Sequence, residues 1–230
     1  MAIAIVGTPR VGSQASGANV TLIFDVAPQE NDLVLVCGGH GSDAVSIGPS
    51  TAGYTAIATH TASPKGGIWR KFMGSTPDTQ VVCIGGGDAQ DAVAYGSIVL
   101  RGVDLTTPLD VAHTVAGPSS VANPDPPSIE PVTNGVWIVA AYWEQGRDVS
   151  ASSGPSGYSN FASIGQIDTN RFGVGLATKF LATAAPEDPG VFTLGTALTW
   201  YTVTLALRPF VGESHTRTIQ RVITSTLEDA

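Results

Sequence analysis

The most regular stretch of the chain is Tyr201 to Arg208, where Tyr201, Val203, Leu205 and Leu207 alternate with Thr202, Thr204 and Arg208. Side chains of a strand point to opposite faces in turn, so this pattern predicts a half-buried strand and not a helix. Runs of the same β-rich character cover Ala2 to Val6, Val20 to Asp25, Leu33 to Cys37, Tyr54 to Thr59, Ile68 to Met73, Gln80 to Ile84, Ser97 to Arg101, Val136 to Trp143, Phe172 to Leu181 and Val191 to Leu194. Turn clusters separate them, among them Pro28-Gln29-Glu30-Asn31-Asp32 and the stretch 185–190. No window sustains the 3.6-residue period of an amphipathic helix, so the predicted class is all-β, a β-sandwich of jelly-roll or immunoglobulin-like kind.

The runs also recur. Asn31-Asp32-Leu33-Val34-Leu35-Val36 has a counterpart in Asn134-Gly135-Val136-Trp137-Ile138-Val139, 103 residues on. Pro49 to Tyr54 resembles Pro155 to Tyr158, with the tyrosines 104 apart; Lys71-Phe72-Met73 matches Lys179-Phe180-Leu181 at 108, and Ser97 to Arg101 matches Thr204 to Arg208 at 107. Four landmarks in one order predict an internally duplicated sandwich, with one half at 1–103 and the other at 104–209. Asp110 to Ala112 would open the second half as Ala2 to Val6 opens the first, and 117–131, rich in Pro, Ser and Asn, reads as an exposed connection. Whether the halves form two small sandwiches or interlock as one is open at this point. Residues 210–230 fall outside the repeat and read as a C-terminal arm. Its Thr, Ile and Val content favours a strand. Arg217, Ile219, Arg221, Val222 and Ile223 are its candidate partner-binding residues, added as a strand to the exposed edge of a neighbouring subunit. The other reading is a frayed tail or a last strand docked on its own domain.

Composition narrows the function classes. Charged residues are 13% of the 230, against about 25% in ordinary soluble chains. The hydrophobic share of 43% argues against disorder, and 27 glycines with 15 prolines supply the many turns that short strands require. A net charge of −8 and only 11 basic residues argue against a counterion-releasing grip on nucleic acid. No window approaches the roughly 20 apolar residues of a membrane span. Met1 to Gly7 lacks the basic and apolar regions of a signal peptide, which predicts assembly in a cytoplasm. Cys37 and Cys83 each sit in an apolar run and read as buried free thiols.

Candidate chemistry is sparse, and the expectation is no enzyme, no cofactor and no metal. His40, Ser42 and Asp43 share one loop, whereas triad members converge from separate elements. His60, His113 and His215 read as solvent-facing. Gly85 to Asp91 could cradle a phosphate or calcium, but it lacks the spacing of either motif, and a tight turn accounts for it. The pairs Glu187-Asp188 and Glu228-Asp229 point apart on an extended chain and read as solvated. Tyr142, Trp143, Tyr158 and Phe161 could together form a sugar-stacking platform, set against the core packing that large rings in strands usually meet.

The Asp-Leu-Val-Leu-Val strand, the Pro-Ser-Gly-Tyr turn, Arg101-Gly102-Val103-Asp104 with Pro108 after it, and Trp200-Tyr201-Thr202-Val203 running to Leu207-Arg208-Pro209 together resemble a diffuse family. It comprises β-sandwich proteins encoded by tailed bacteriophages and prophages. The resemblance covers about residues 1–209 and carries no catalytic residue. It implies a structural protein of a virion, foremost a capsid decoration or cement protein, with a tail, neck or fibre component second and a carbohydrate-binding adhesion module as the reading from another class. The partners implied are other virion proteins and copies of the same chain, a trimer among the options, with neither nucleic acid nor membrane bound directly.

Overall fold

The computed structural model describes residues 2–15, 17–41, 46–86, 91–120, 123–146, 150–167, 170–195 and 199–211. Among them are thirteen strands and no helix: β1 (Ala4–Ile5), β2 (Arg10–Gln14), β3 (Val20–Ile23), β4 (Leu33–His40), β5 (Thr55–His60), β6 (Lys65–Phe72), β7 (Gln80–Cys83), β8 (Val93–Arg101), β9 (Thr114–Ser119), β10 (Val136–Gln145), β11 (Ser159–Gln166), β12 (Phe172–Leu181) and β13 (Thr199–Leu207). The first sheet runs β1-β8-β4-β6-β5, with β2 joining the same edge of β8. The second runs β11-β12-β10-β13-β9, and β3 pairs with β7 in a separate ribbon. Every pairing is antiparallel.

Alternation along the central strands sorts the side chains into layers. Leu33, Leu35 and Cys37 of β4 meet Val139, Ala141 and Trp143 of β10 in one large core between the sheets. On the outer face of the first sheet, Val34, Val36 and Tyr95 pack under the β3–β7 ribbon through Val20, Leu22 and Val81. On the outer face of the second, Ile138, Ala140 and Tyr142 are covered by Ile129, Phe192 and Leu194. Those covering segments are joined by the Ile129–Glu187 bridge and by a bond from Phe192 N to the Pro124 carbonyl. The molecule therefore has four layers, and its central strands are apolar on both faces, which is why they read as continuous hydrophobic runs.

The two sheets share one strand order and one register. Leu33 pairs with Phe72 and Leu100; Trp137 pairs with Phe180 and Leu207. Arg10 opposite Ser97 matches Thr114 opposite Thr204. Val6 N to Val99 O matches Asp110 N to Ala206 O. A register shift follows Ala56 in β5 and Ser159 in β11, with Ala58 and Ala162 resuming the ladder. Across the sandwich, β11 lies against β2 and β8, while β5 and β9 line one cleft. Matched edges thus exchange places, as a pseudo-two-fold axis requires.

This geometry corrects several expectations. Leu33 corresponds to Trp137, 104 residues on, and not to Val136; both side chains face the inter-sheet core, whereas Val136 packs outward. The reference point is the left-handed residue two positions earlier, Asn31 (φ 70°) in one half and Gly135 (φ 75°) in the other. A slip of one residue turns a strand's side chains to the opposite face. The run Tyr201 to Leu207 is buried on both sides, because Thr202 and Thr204 donate to the carbonyls of Asp125 and Pro127 in the covering layer. Residues 117–131 are not simply an exposed connection: β9 runs to Ser119, and Pro124, Pro126 and Ile129 are buried. Val191–Leu194 is no strand, although Phe192 and Leu194 fill the outer core. Strands β2, β9 and β11 were not expected; polar side chains and glycines break their patterns.

Candidate functional site

Two surface features bring chemically distinct groups together. The first lies where the halves meet. Asp104 N donates to Arg208 O and Phe210 N to Gly102 O, so the inter-half linker and the end of β13 form a short two-stranded seam. Beside it Arg101 grips Asp32 with two bonds, Nε to Oδ1 and Nη2 to Oδ2, both 2.8 Å. These residues, with Leu105 and Phe210, line a cleft of about 250 Å³. Leu105, Phe210 and Val211 are exposed there. Arg208, the match of Arg101, takes its carboxylate from elsewhere, Asp110 at 3.1 Å. Burial would raise the Asp110 carboxyl, but donation from the Val132 and Thr133 amides at 2.6 and 3.0 Å and from Arg208 holds it below the usual range.

The second feature is an aromatic column at one open edge of the sandwich. His60, at the end of β5, stacks on Tyr201 of β13 with ring centroids 3.6 Å apart, and Tyr201 stacks on Trp143 of β10 at 5.9 Å. Trp143 reaches this position because Gly66 faces it: a Cβ on Gly66 would lie 2.5 Å from Trp143 Cδ1. His60 Nδ1 is 2.9 Å from the Ala62 carbonyl, which can only accept, so this nitrogen carries a proton. The column and β9 enclose a cleft of about 170 Å³ with Ala58, Val115 and Thr202 in its walls.

The expected site residues fall as follows. Arg217, Ile219, Arg221, Val222 and Ile223 lie outside the described residues, as do Ser42, Asp43, His215 and the Glu228-Asp229 pair. His40 is not in a loop: it is the last residue of β4, fully buried, with Nε2 3.2 Å from the Ser46 carbonyl. His60 is half-buried in the column, and not solvent-facing. Asp91 is buried and accepts from Asn170 Nδ2 at 2.8 Å. Glu187 is not solvated but is gripped by Lys179 at 2.8 and 2.9 Å. The four-ring platform does not form. Tyr142 and Trp143 are neighbours on one strand and face opposite sides of the sheet, Tyr142 bonding Ser163 and Ala151 while Trp143 enters the inner core. Phe161 packs on Phe192, and Tyr158 lies beneath Lys179. Cys37 and Cys83 are free and buried, and burial pushes the Cys37 thiol up to about 12. Among the described residues no group of three or more His, Cys, Asp or Glu is placed to hold a metal ion. The pairing of His60 with Tyr201 had no signal in the sequence, since it depends on two edges meeting across two sheets.

No family model and no curated protein matches the chain. Among solved structures, one titled "Cucumber Leaf Spot Virus" aligns over 93% of this chain and 72% of that one, at 13% identity and a TM-score of 0.23. A likeness that slight carries no argument about fold or role.

Proposed function

We propose that this chain is a structural, non-catalytic protein of a tailed-phage virion, foremost a capsid decoration protein that braces neighbouring subunits of the assembled head. The observation that carries the reading is the seam at Gly102–Asp104 and Arg208–Phe210. There Leu105, Phe210 and Val211 lie exposed at the point where the chain passes on to 212–230, which holds Arg217, Ile219, Arg221, Val222 and Ile223. An apolar platform with a tether beside it suits a protein that binds a lattice through its own end. Binding only the assembled state stabilises that state by mass action. Three of the buried carboxylates, Asp32, Asp110 and Glu187, are each committed to an arginine or lysine that fastens the fold, which supports a structural role for them. The matched sheets are best accounted for by duplication of one β unit, and self-association would follow from the same exposed seam.

The test is removal of residues 212–230, which leaves the Phe210 bond intact, followed by co-sedimentation with purified particles. Loss of association is expected, and undiminished binding sinks the tether. Mass spectrometry of separated heads and tails decides the location: recovery with tails replaces the decoration role by a tail, neck or fibre role.

A further inference from the structure

We infer that the cleft between β5 and β9 binds a single uncharged sugar ring, seated by its C–H face against the His60–Tyr201–Trp143 column. The sandwich does not require this column. The pseudo-two-fold gives each of its positions a mate at the opposite edge: the pair Trp143–Tyr201 corresponds to Gly39–Ala94, and His60 opposite Gly66 corresponds to Ile164 opposite Val174. One edge closes with glycine, alanine and isoleucine, while the other holds three rings and an open cleft. Packing alone does not account for the difference.

The chemistry of the walls selects the ligand. None of the residues lining the cleft is Lys, Arg, Asp or Glu, which removes the attraction a phosphate, carboxylate or ammonium would need. Its volume, about 170 Å³, is small beside the roughly 300–1,000 Å³ of drug-sized sites, so one ring is the capacity. A flat heterocycle binds best between two separated aromatic faces, but these rings are already stacked on one another and leave no slot. A pyranose needs one aromatic surface for its C–H face and polar groups at its rim. The lining side chains that offer polar groups are the imidazole of His60 and the phenol of Tyr201, whose pKa burial raises. Trp143 Nε1–H, on a residue 2% exposed, donates to nothing among the described residues. That nitrogen is itself closed to solvent, so its resonance reports on the column from within while the lining side chains at the cleft meet the sugar.

The experiment is an NMR titration of the full chain with the methyl glycosides of glucose, galactose and mannose, with glucuronate, glucose 6-phosphate and indole as comparisons. Saturable shifts of the Trp143 indole N–H and the His60 ring by at least one neutral glycoside are expected. His60→Ala and Val115→Arg should each weaken binding roughly ten-fold. Val115 is 58% exposed on the rim, so its substitution blocks the cleft without disturbing the core. Ile164→Ala, at the matched edge, should change nothing. The inference is overturned if no neutral glycoside gives a saturable shift, if Val115→Arg binds as the parent does, or if indole or the charged sugars bind more tightly. Its failure leaves the particle role untouched.

Discussion

Lys71 and Lys179 hold matched places on the outer faces of the two sheets, each ammonium above a tyrosine ring, Tyr54 at 5.6 Å and Tyr158 at 5.7 Å. Each also pairs with a carboxylate, Asp78 at 2.6 Å and Glu187 at 2.8 Å. One methylene separates the two arrangements in effect. Glu187 also accepts from the Tyr158 hydroxyl at 3.2 Å, whereas the Tyr54 hydroxyl is buried with no partner among the described residues. Asp78→Glu should supply the missing acceptor and raise stability by about 0.5–1.5 kcal/mol, read as a higher urea midpoint. In a Tyr54→Phe background the gain should vanish, because the hydroxyl is gone; a gain that persists there would assign it to something else.

At the scale of elements, β6 and β10 approach each other closely at one point, Gly66 against Trp143. Gly66 makes room for Trp143, and any larger residue pushes on the indole. Gly66→Ala is expected to cost roughly 1–3 kcal/mol by overpacking, and Trp143→Leu in the same chain should recover part of the loss in chemical denaturation. The strands of this region also show what the sequence made legible and what it hid. Leu33–Cys37, Val136–Trp143 and Tyr201–Leu207 could be recognised because buried strands are long, β-branched and bounded by turns. Strands β2, β9 and β11, at sheet edges, hold residues such as Gly12, Ser13, Gly117 and Gly165, whose pairing is imposed by the neighbouring strand. The correspondence in register between the two sheets could be read to within one residue. The left-handed position that sets the register is filled by Asn31 in one half and Gly135 in the other, so matching the letters Asn31 and Asn134 gave the slip. The ring column stayed hidden for a different reason: His60, Trp143 and Tyr201 are far apart in the chain, and only the packing of one sheet on the other brings them together.

For the whole molecule, the inter-sheet core is shared between residues before 104 and residues after it. Either half alone would leave Leu33, Leu35, Ile98 and Leu100, or Val139, Val203 and Leu205, facing water. Polypeptides 1–103 and 104–211, refolded together in equimolar amounts, should therefore recombine into one sandwich and restore the near-ultraviolet circular dichroism of the Trp143–Tyr201 stack. Two copies of the second half should pair poorly, since Trp143 would meet Val174 where it now meets Gly66. A stable homodimer of 104–211 would show that the glycine is dispensable. The seam has a mechanical consequence as well. A pull on the chain beyond Val211 reaches the bonds at Gly102 and Asp104 first and then β13, which is held by β10 on one side and β9 on the other. Because that strand is interior to its sheet, tension along it shears two ladders at once and has no free edge to peel, so the far end of the chain is moored to one of the strands best able to bear a load.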